Sequence, residues 1–217
     1  IVEHYGIPYE KVVVVHNGID AEEHHRALPP ALAHIRATGK KIVLFVGRIT
    51  IQKGPDYFIK VAKRVLEFDP NILFVVGGSG DMERQIIRMA ADLGLADNVV
   101  FAGFVRGEEL MRLYRAADLF VMPSVSEPFG LTALEALANG TPILVSKQSG
   151  VSEVLTHALK SDFWDIDDMA DKIVNVLQSR GLHDTLGELG GRDVEKMTWA
   201  SAAGKCMQIY QKLVSSS

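Results

Sequence analysis

Six short runs of β-branched and other apolar residues recur along the chain, at 12–15, 42–46, 72–76, 99–101, 119–122 and 143–145. None alternates polar with apolar, so each has to be covered on both faces, the pattern of a parallel sheet sandwiched between helices. Amphipathic stretches at 56–68, 81–93, 107–116, 131–139 and 151–155 supply the cover. They are the crossovers that parallel neighbours require. The predicted fold is therefore α/β, a doubly wound parallel sheet of the Rossmann-like type. Ligands of such sheets bind beyond the carboxyl ends of the strands, so the loops that follow each run are the places to search.

The two ends of the chain depart from this alternation. Stretches 167–178, 183–196 and 201–214 read as successive helices with no strand between them, with Trp199 as a packing anchor. The sequence divides into a connector over 1–40, a nucleotide-binding-type domain over 41–182, and helices over 183–217 that pack on its outside. The connector holds Pro29-Pro30 and the histidines His24, His25 and His34, which read as solvated. The chain opens on Ile1 without an initiator methionine, which suggests a fragment or a processed product.

Composition narrows the partners. A chain of 217 residues with 47% hydrophobic and 23% charged residues has the make-up of a soluble globular protein with a proper core. A net charge of −4 gives no reason to expect nucleic acid or an anionic membrane. No apolar stretch reaches the roughly 18–20 residues of a membrane span, and no signal peptide is visible. The single cysteine, Cys206, reads as a small core residue and fits a reducing, cytoplasmic setting.

The loops after the strands carry the chemistry. The most informative is Ser126-Glu127-Pro128-Phe129-Gly130-Leu131-Thr132-Ala133-Leu134-Glu135, which leads from the 119–122 run into a helix. It places Glu127 at the helix mouth and Glu135 between one and two turns in, with the first-turn amides of Gly130, Leu131 and Thr132 between them. Unpaired amides and the positive end of the helix dipole attract phosphate. After 42–46 comes Gly47-Arg48-Ile49-Thr50-Ile51-Gln52-Lys53-Gly54, where Arg48 and Lys53 make a diphosphate clamp if they converge, or two solvated surface cations if they do not. After 72–76 comes Gly77-Gly78-Ser79-Gly80-Asp81, a glycine turn that admits a ligand close to the backbone or is simply tight, with Asp81 as a helix cap. Gly103-Phe104-Val105 offers backbone groups to the edge of a base. Asp165-Ile166-Asp167 has the spelling of a metal-binding pair, but Asp167 and Asp168 at the start of a helix are accounted for by capping. The histidines have no metal-ligand spacing.

These loops together resemble the C-terminal, donor-binding domain of retaining glycosyltransferases of the GT-B fold, over nearly the whole chain. The resemblance rests on His16-Asn17-Gly18-Ile19-Asp20, Gly47-Arg48 with Lys53-Gly54, Gly77-Gly78-Ser79-Gly80, Gly103-Phe104-Val105, and Pro123-Ser124 through Gly140-Thr141-Pro142. It implies that Arg48 and Lys53 neutralise the donor diphosphate and that Glu127 contacts the transferred sugar. It further implies that Glu135 binds the ribose hydroxyls and that Phe129, Gly130, Leu131 and Thr132 hold sugar hydroxyls and phosphate through their amides. Gly78, Ser79, Gly80, Phe104 and Val105 border the nucleotide on this reading. The implied donor is a UDP-, ADP- or GDP-sugar, with no cofactor and no metal, and the acceptor is a glycan or glycolipid held by an N-terminal half that the chain lacks. Two other readings stay open: a nucleotide-binding module without chemistry, and a nucleotide-sugar epimerase on the same fold. The stretch Thr156-His157-Ala158-Leu159-Lys160-Ser161-Asp162-Phe163-Trp164 departs from the family's glycine-rich loop, which points to a specialised wall of the cleft.

Overall fold

The computed structural model of the chain describes residues 2–20 and 38–215; His24, His25, His34 and Pro29-Pro30 lie outside them. A six-stranded, wholly parallel sheet forms the centre, in the order β3-β2-β1-β4-β5-β6. The strands are β1 (Lys41–Val46), β2 (Ile72–Gly77), β3 (Val99–Gly103), β4 (Leu119–Met122), β5 (Ile143–Ser146) and β6 (Leu159–Ser161). Among the described residues seven helices follow or flank them: α1 (Pro55–Leu66), α2 (Glu83–Asp92), α3 (Gly107–Ala116), α4 (Leu131–Ala138), α5 (Ile166–Gln178), α6 (Arg180–Glu195) and α7 (Trp199–Ser215). A short helical turn, Val2–Tyr5, lies ahead of the sheet.

Strand periodicity divides the core into two layers. Ile42, Leu44 and Val46 point to the face covered by α3, α4 and Val194 of α6, where Leu113, Tyr114, Leu134 and Leu137 are buried. Val43 and Phe45 point to the other face, packed by Phe58, Ile59 and Val65 of α1, Ile86 of α2 and Ile173 of α5. Burial on both faces explains why the runs of β1, β2, β4 and β5 are apolar without alternation, while the edge strand β3 alternates in burial and leaves Val100 44% exposed, against the expectation of cover on both sides. The strand order reverses between β1 and β4, and the crevice beyond their carboxyl ends is where such sheets take ligands.

Three expectations change. The 12–15 run is not a strand: Val13 and Val14 are 62% and 66% exposed, and no described segment pairs with them in the sheet. The 151–155 stretch is only a short 3-10 turn, Gly150–Glu153. In its wake an unanticipated edge strand, β6, pairs with β5 inside the atypical 156–164 segment. Ser161 of β6 donates to Asp168, and Lys172 bonds Asp168 and the carbonyl of Lys160, so polar side chains of α5 hold the edge.

The final helices differ from one another. α6 packs on α4 through its glycines, since a Cβ at Gly190 would stand 2.4 Å from Leu137 Cδ2. α7 buries no residue. Cys206 is half-buried on it and Trp199 is 46% exposed, so neither serves the core as expected.

Candidate functional site

Backbone bonds carry the sheet ladder past the strand ends. Gly47 N–H donates to the Gly77 carbonyl (3.0 Å), Ile49 N–H to Ser79 (2.9 Å), Gly78 N–H to Gly103 (2.7 Å) and Met82 N–H to Ile49 (3.0 Å). The loops after β1, β2 and β3 are thus joined into one raft. The glycines serve that raft directly. Gly78 has φ +134°, and a Cβ there would lie 1.9 Å from the Gly47 carbonyl oxygen; at Gly80 it would lie 2.3 Å from that of Ile49. The first cause of these two glycines is therefore chain against chain rather than chain against ligand. Asp81 is exposed and does not cap α2, whose cap position is Met82 without a side-chain bond.

Above the raft lies a cavity of about 210 Å³ lined by Val46, Gly47, Arg48, Gly78, Ser79, Phe104 and Val105. Arg48 is exposed at its edge, and Phe104 is 69% exposed while Val105 is buried. An aromatic ring, small backbone and a guanidinium make a surface suited to a flat heterocycle carrying anionic groups.

The second loop system holds the carboxylates. A 3-10 turn, Ile51–Lys53, ends at Gly54 in the left-handed region (φ +64°), whose Cβ would meet the Pro123 carbonyl oxygen at 2.1 Å. Val125 N–H donates to the Gln52 carbonyl (2.9 Å). These contacts bring the loop after β1 against the loop after β4. Lys53 Nζ is ion-paired with Glu127 Oε2, and the Glu127 side chain is only 8% exposed. Glu127 is fixed from the other side as well, since Gly150 N–H donates to its carbonyl (3.0 Å) and it bridges Ser149. Val151 N–H bonds the Phe129 carbonyl (2.7 Å).

Gly130 (φ +116°) is the N-cap of α4 and provides no side-chain cap. Leu131 and Thr132 form its first turn, but Thr132 Oγ1 lies 3.7 Å from Met122 Sδ, so that hydroxyl faces the core and only the amide serves the mouth. The ring of Phe129 stacks on His16, with centroids 5.7 Å apart. His16 is held there because Ile19 N–H bonds Met197, and Gly18 lies so close to Thr198 that a Cβ would stand 2.1 Å from its carbonyl carbon.

Glu135 is half-buried and accepts a hydrogen bond from Tyr114 OH at 2.9 Å. Burial raises its carboxyl above the usual carboxylate range, and the Tyr114 hydrogen bond works against that rise. Burial, with the neighbouring Glu135 charge and hydrogen bond, holds the Tyr114 phenol well above its ordinary value, so it stays a donor.

The structure thus brings Arg48, Gly78, Ser79, Phe104 and Val105 to one cavity and Lys53, Glu127, Phe129, Gly130, Leu131 and Thr132 to a neighbouring mouth, with Glu135 one turn behind. Tyr114, Gln52 and Ser149 were missed. They act through a distant hydroxyl or through backbone, for which a linear sequence carries no local mark. The Asp-x-Asp spelling is resolved as capping, at a different residue from the one expected: Asp165 accepts from Asp168 N–H, and Asp167 pairs with Arg64 at 2.7 Å. Among the described residues no group of three or more His, Cys, Asp or Glu side chains could hold a metal ion. The atypical segment ends in an edge-on aromatic cluster after β6: Phe163 meets Tyr57 at 5.1 Å and Trp164 at 4.8 Å between centroids.

A family model described as "Glycosyl transferases group 1" matches residues 33–192. The chain belongs to the group 1 glycosyltransferases. An uncharacterized glycosyltransferase of Methanocaldococcus jannaschii is 37% identical over 95% of this chain and 55% of its own length. Among solved structures, TarM of S. aureus, crystallised with fondaparinux, α-GlcNAc-glycerol and UDP, superposes with a TM-score of 0.79 at 22% identity. The superposition covers 94% of this chain and 40% of that one. The C-terminal domain of the group 1 protein LpcC from Francisella tularensis, solved by itself, gives a TM-score of 0.71 at 23% identity, covering 82% of this chain and 97% of that one. The chain spans about half the length of the curated relatives it matches and has the fold of the C-terminal half of GT-B enzymes. No helix of the described residues is long and apolar enough to cross a membrane.

Proposed function

We propose that the chain is the donor-binding half of a retaining, cytoplasmic glycosyltransferase that moves a sugar from a nucleoside diphosphate to an acceptor hydroxyl. The observation that carries this reading is that the Arg48 cavity adjoins the Lys53–Glu127 pair, since a Cβ at Gly47 of its lining would stand 3.8 Å from Lys53 Cδ, and that Glu127 leads into the uncapped N-terminus of α4. The base and ribose lie in the cavity beside Phe104 and Val105, with Glu135 accepting from ribose hydroxyls. Arg48, Lys53 and the first-turn amides of α4 take the diphosphate. They stabilise the charge that grows on the leaving phosphate, so compensation comes from the protein without a divalent ion. Glu127 sits at the anomeric end. It is bonded to Lys53 before any donor arrives, so donor entry exchanges one lysine partner for another, and the carboxylate is released toward sugar hydroxyls. UDP in the TarM complex supports a nucleoside diphosphate as ligand on this fold.

The reading is tested by calorimetry of the 217-residue chain with UDP, ADP and GDP. One of them binds, and Lys53→Ala weakens it by about tenfold or more, as expected for a charge-assisted phosphate contact. No binding by any of the three sinks the donor site. In the full-length protein Glu127→Ala abolishes transfer while sparing nucleoside diphosphate binding. Proton NMR of the first product formed reports the anomer, and an inverted product refutes retention.

A further inference from the structure

The hydrogen bond from Tyr114 to Glu135 has no part in the chemistry above. We propose that Tyr114 is a positioning residue that presets Glu135 for a ribose diol, and so makes the site select ribonucleotides over nucleotides lacking those hydroxyls. The inference rests on the donor-site reading and adds to it a residue from a different helix.

Tyr114 is fully buried on α3, and its place is over-determined. Its ring meets Phe120 of β4 edge-on, with centroids 5.7 Å apart at 75°. Its carbonyl accepts from Thr141 Oγ1 at 2.5 Å and from Ala117 N–H at 3.0 Å. The phenol oxygen is therefore a fixed point, while Glu135 is a flexible side chain that is only half-buried. A hydroxyl donating to Oε2 fixes the carboxylate plane and presents Oε1 to an incoming hydroxyl. It also favours the ionised form that burial opposes, and the ionised form is acceptor-only at both oxygens. Without the phenol, the carboxylate has to be ordered at the moment of binding, a cost that the fixed bond has already met.

The experiment is calorimetry of the 217-residue chain with the tightest of UDP, ADP and GDP and with its 2′,3′-dideoxy counterpart. The wild type prefers the ribose form by about tenfold or more, the scale of hydrogen bonds to a charged group. Tyr114→Phe cuts that preference by about two- to tenfold, the scale of one unfixed side chain, and leaves affinity for the dideoxy form unchanged. Glu135→Gln also loses preference, and the double variant matches Glu135→Gln alone because Tyr114 acts through the carboxylate. The double variant buries no carboxylate, so it keeps the test open if Tyr114→Phe alone does not fold. A preference intact in Tyr114→Phe, equal weakening of both ligands, or a double variant that differs from Glu135→Gln overturns the role of Tyr114 and leaves the donor site standing. A wild type with no preference overturns the ribose assignment of Glu135 and this inference with it.

Discussion

The loops at the carboxyl end of β1, β2 and β4 and the helix α7 both mix glycine with apolar residues, yet they are opposites in the folded chain. The first region is closed on itself: carbonyl oxygens of Gly47, Ile49 and Pro123 occupy the space where side chains at Gly78, Gly80 and Gly54 would stand. The second is open. α7 buries none of its seventeen residues, with Met207, Tyr210, Leu213 and Val214 between 55% and 78% exposed. A glycine in the first region is a steric necessity, whereas a Cβ added at Gly204 of α7 would meet nothing within 4 Å. Function follows the same division, since groups held on every side can present ligand contacts at fixed positions.

The largest effect that sharpens this contrast is Gly78→Val. Its φ of +134° excludes a β-branched residue, and the Gly47 carbonyl oxygen stands 1.9 Å from the new Cβ. The expected outcome is a loss of more than about 4 kcal/mol, or no folded protein, measured by urea denaturation with circular dichroism. A variant within about 1 kcal/mol of wild type would mean that the raft is deformable, and the contrast with α7 would collapse.

Next in size is a matched pair of leucines. Leu134 of α4 is fully buried beneath the site, and Leu213 of α7 is 63% exposed. Leu134→Ala should cost about 2–5 kcal/mol through lost burial and a residual cavity. Leu213→Ala should stay within about 0.5 kcal/mol. Urea midpoints at constant slope decide between them, and equal costs would show that α7 is packed in solution.

How much of this was legible beforehand follows from how local each cause is. The runs at 42–46, 72–76, 119–122 and 143–145 became strands because burial on both faces is written in their composition, whereas the run at 99–101 became an edge strand that leaves Val100 44% exposed. The run at 12–15 has the same composition and failed, because a strand also needs a neighbour, and the chain offers it none among the described residues. β6 has Lys160 and Ser161 in place of apolar residues, and its pairing depends on Asp168 and Lys172 of a later helix. The glutamates were visible from their spacing around a helix start. Tyr114, twenty-one positions from Glu135, was not, since helix packing alone brings them together.

A third effect reads as a slope with pH. Burial raises the Glu135 carboxyl in the folded chain above its unfolded value. Between those two values the folded state keeps a proton that the unfolded state has lost, so the contribution of Glu135 to stability falls as pH rises through that window. The window opens at the ordinary carboxylate value of about 4.3 and closes at the raised folded value. Glu135→Gln removes the titration. Its stability relative to wild type should therefore increase from pH 4 to pH 7 in parallel urea melts. A difference that is flat or of opposite sign would mean that the phenol and solvent outweigh burial, and Glu135 would then belong with the exposed surface of α7 rather than with the closed region.

The smallest effect tests the open side of the contrast. Gly204 is in the interior of α7, where glycine lowers helix stability relative to alanine by roughly 0.8–1.0 kcal/mol. With nothing within 4 Å of an added Cβ and no left-handed φ to satisfy, Gly204→Ala has no steric penalty to offset that gain. The helix should therefore become more stable, by up to about 1 kcal/mol where its unfolding is coupled to that of the domain. Because α7 buries nothing, part of the gain should appear as slower local opening instead, seen in amide hydrogen exchange along 199–215 and not in the urea midpoint. A destabilised Gly204→Ala chain would require a surface pressed against that glycine, and α7 would have to be redrawn as a packed element like α6, whose Gly190 is forced by Leu137.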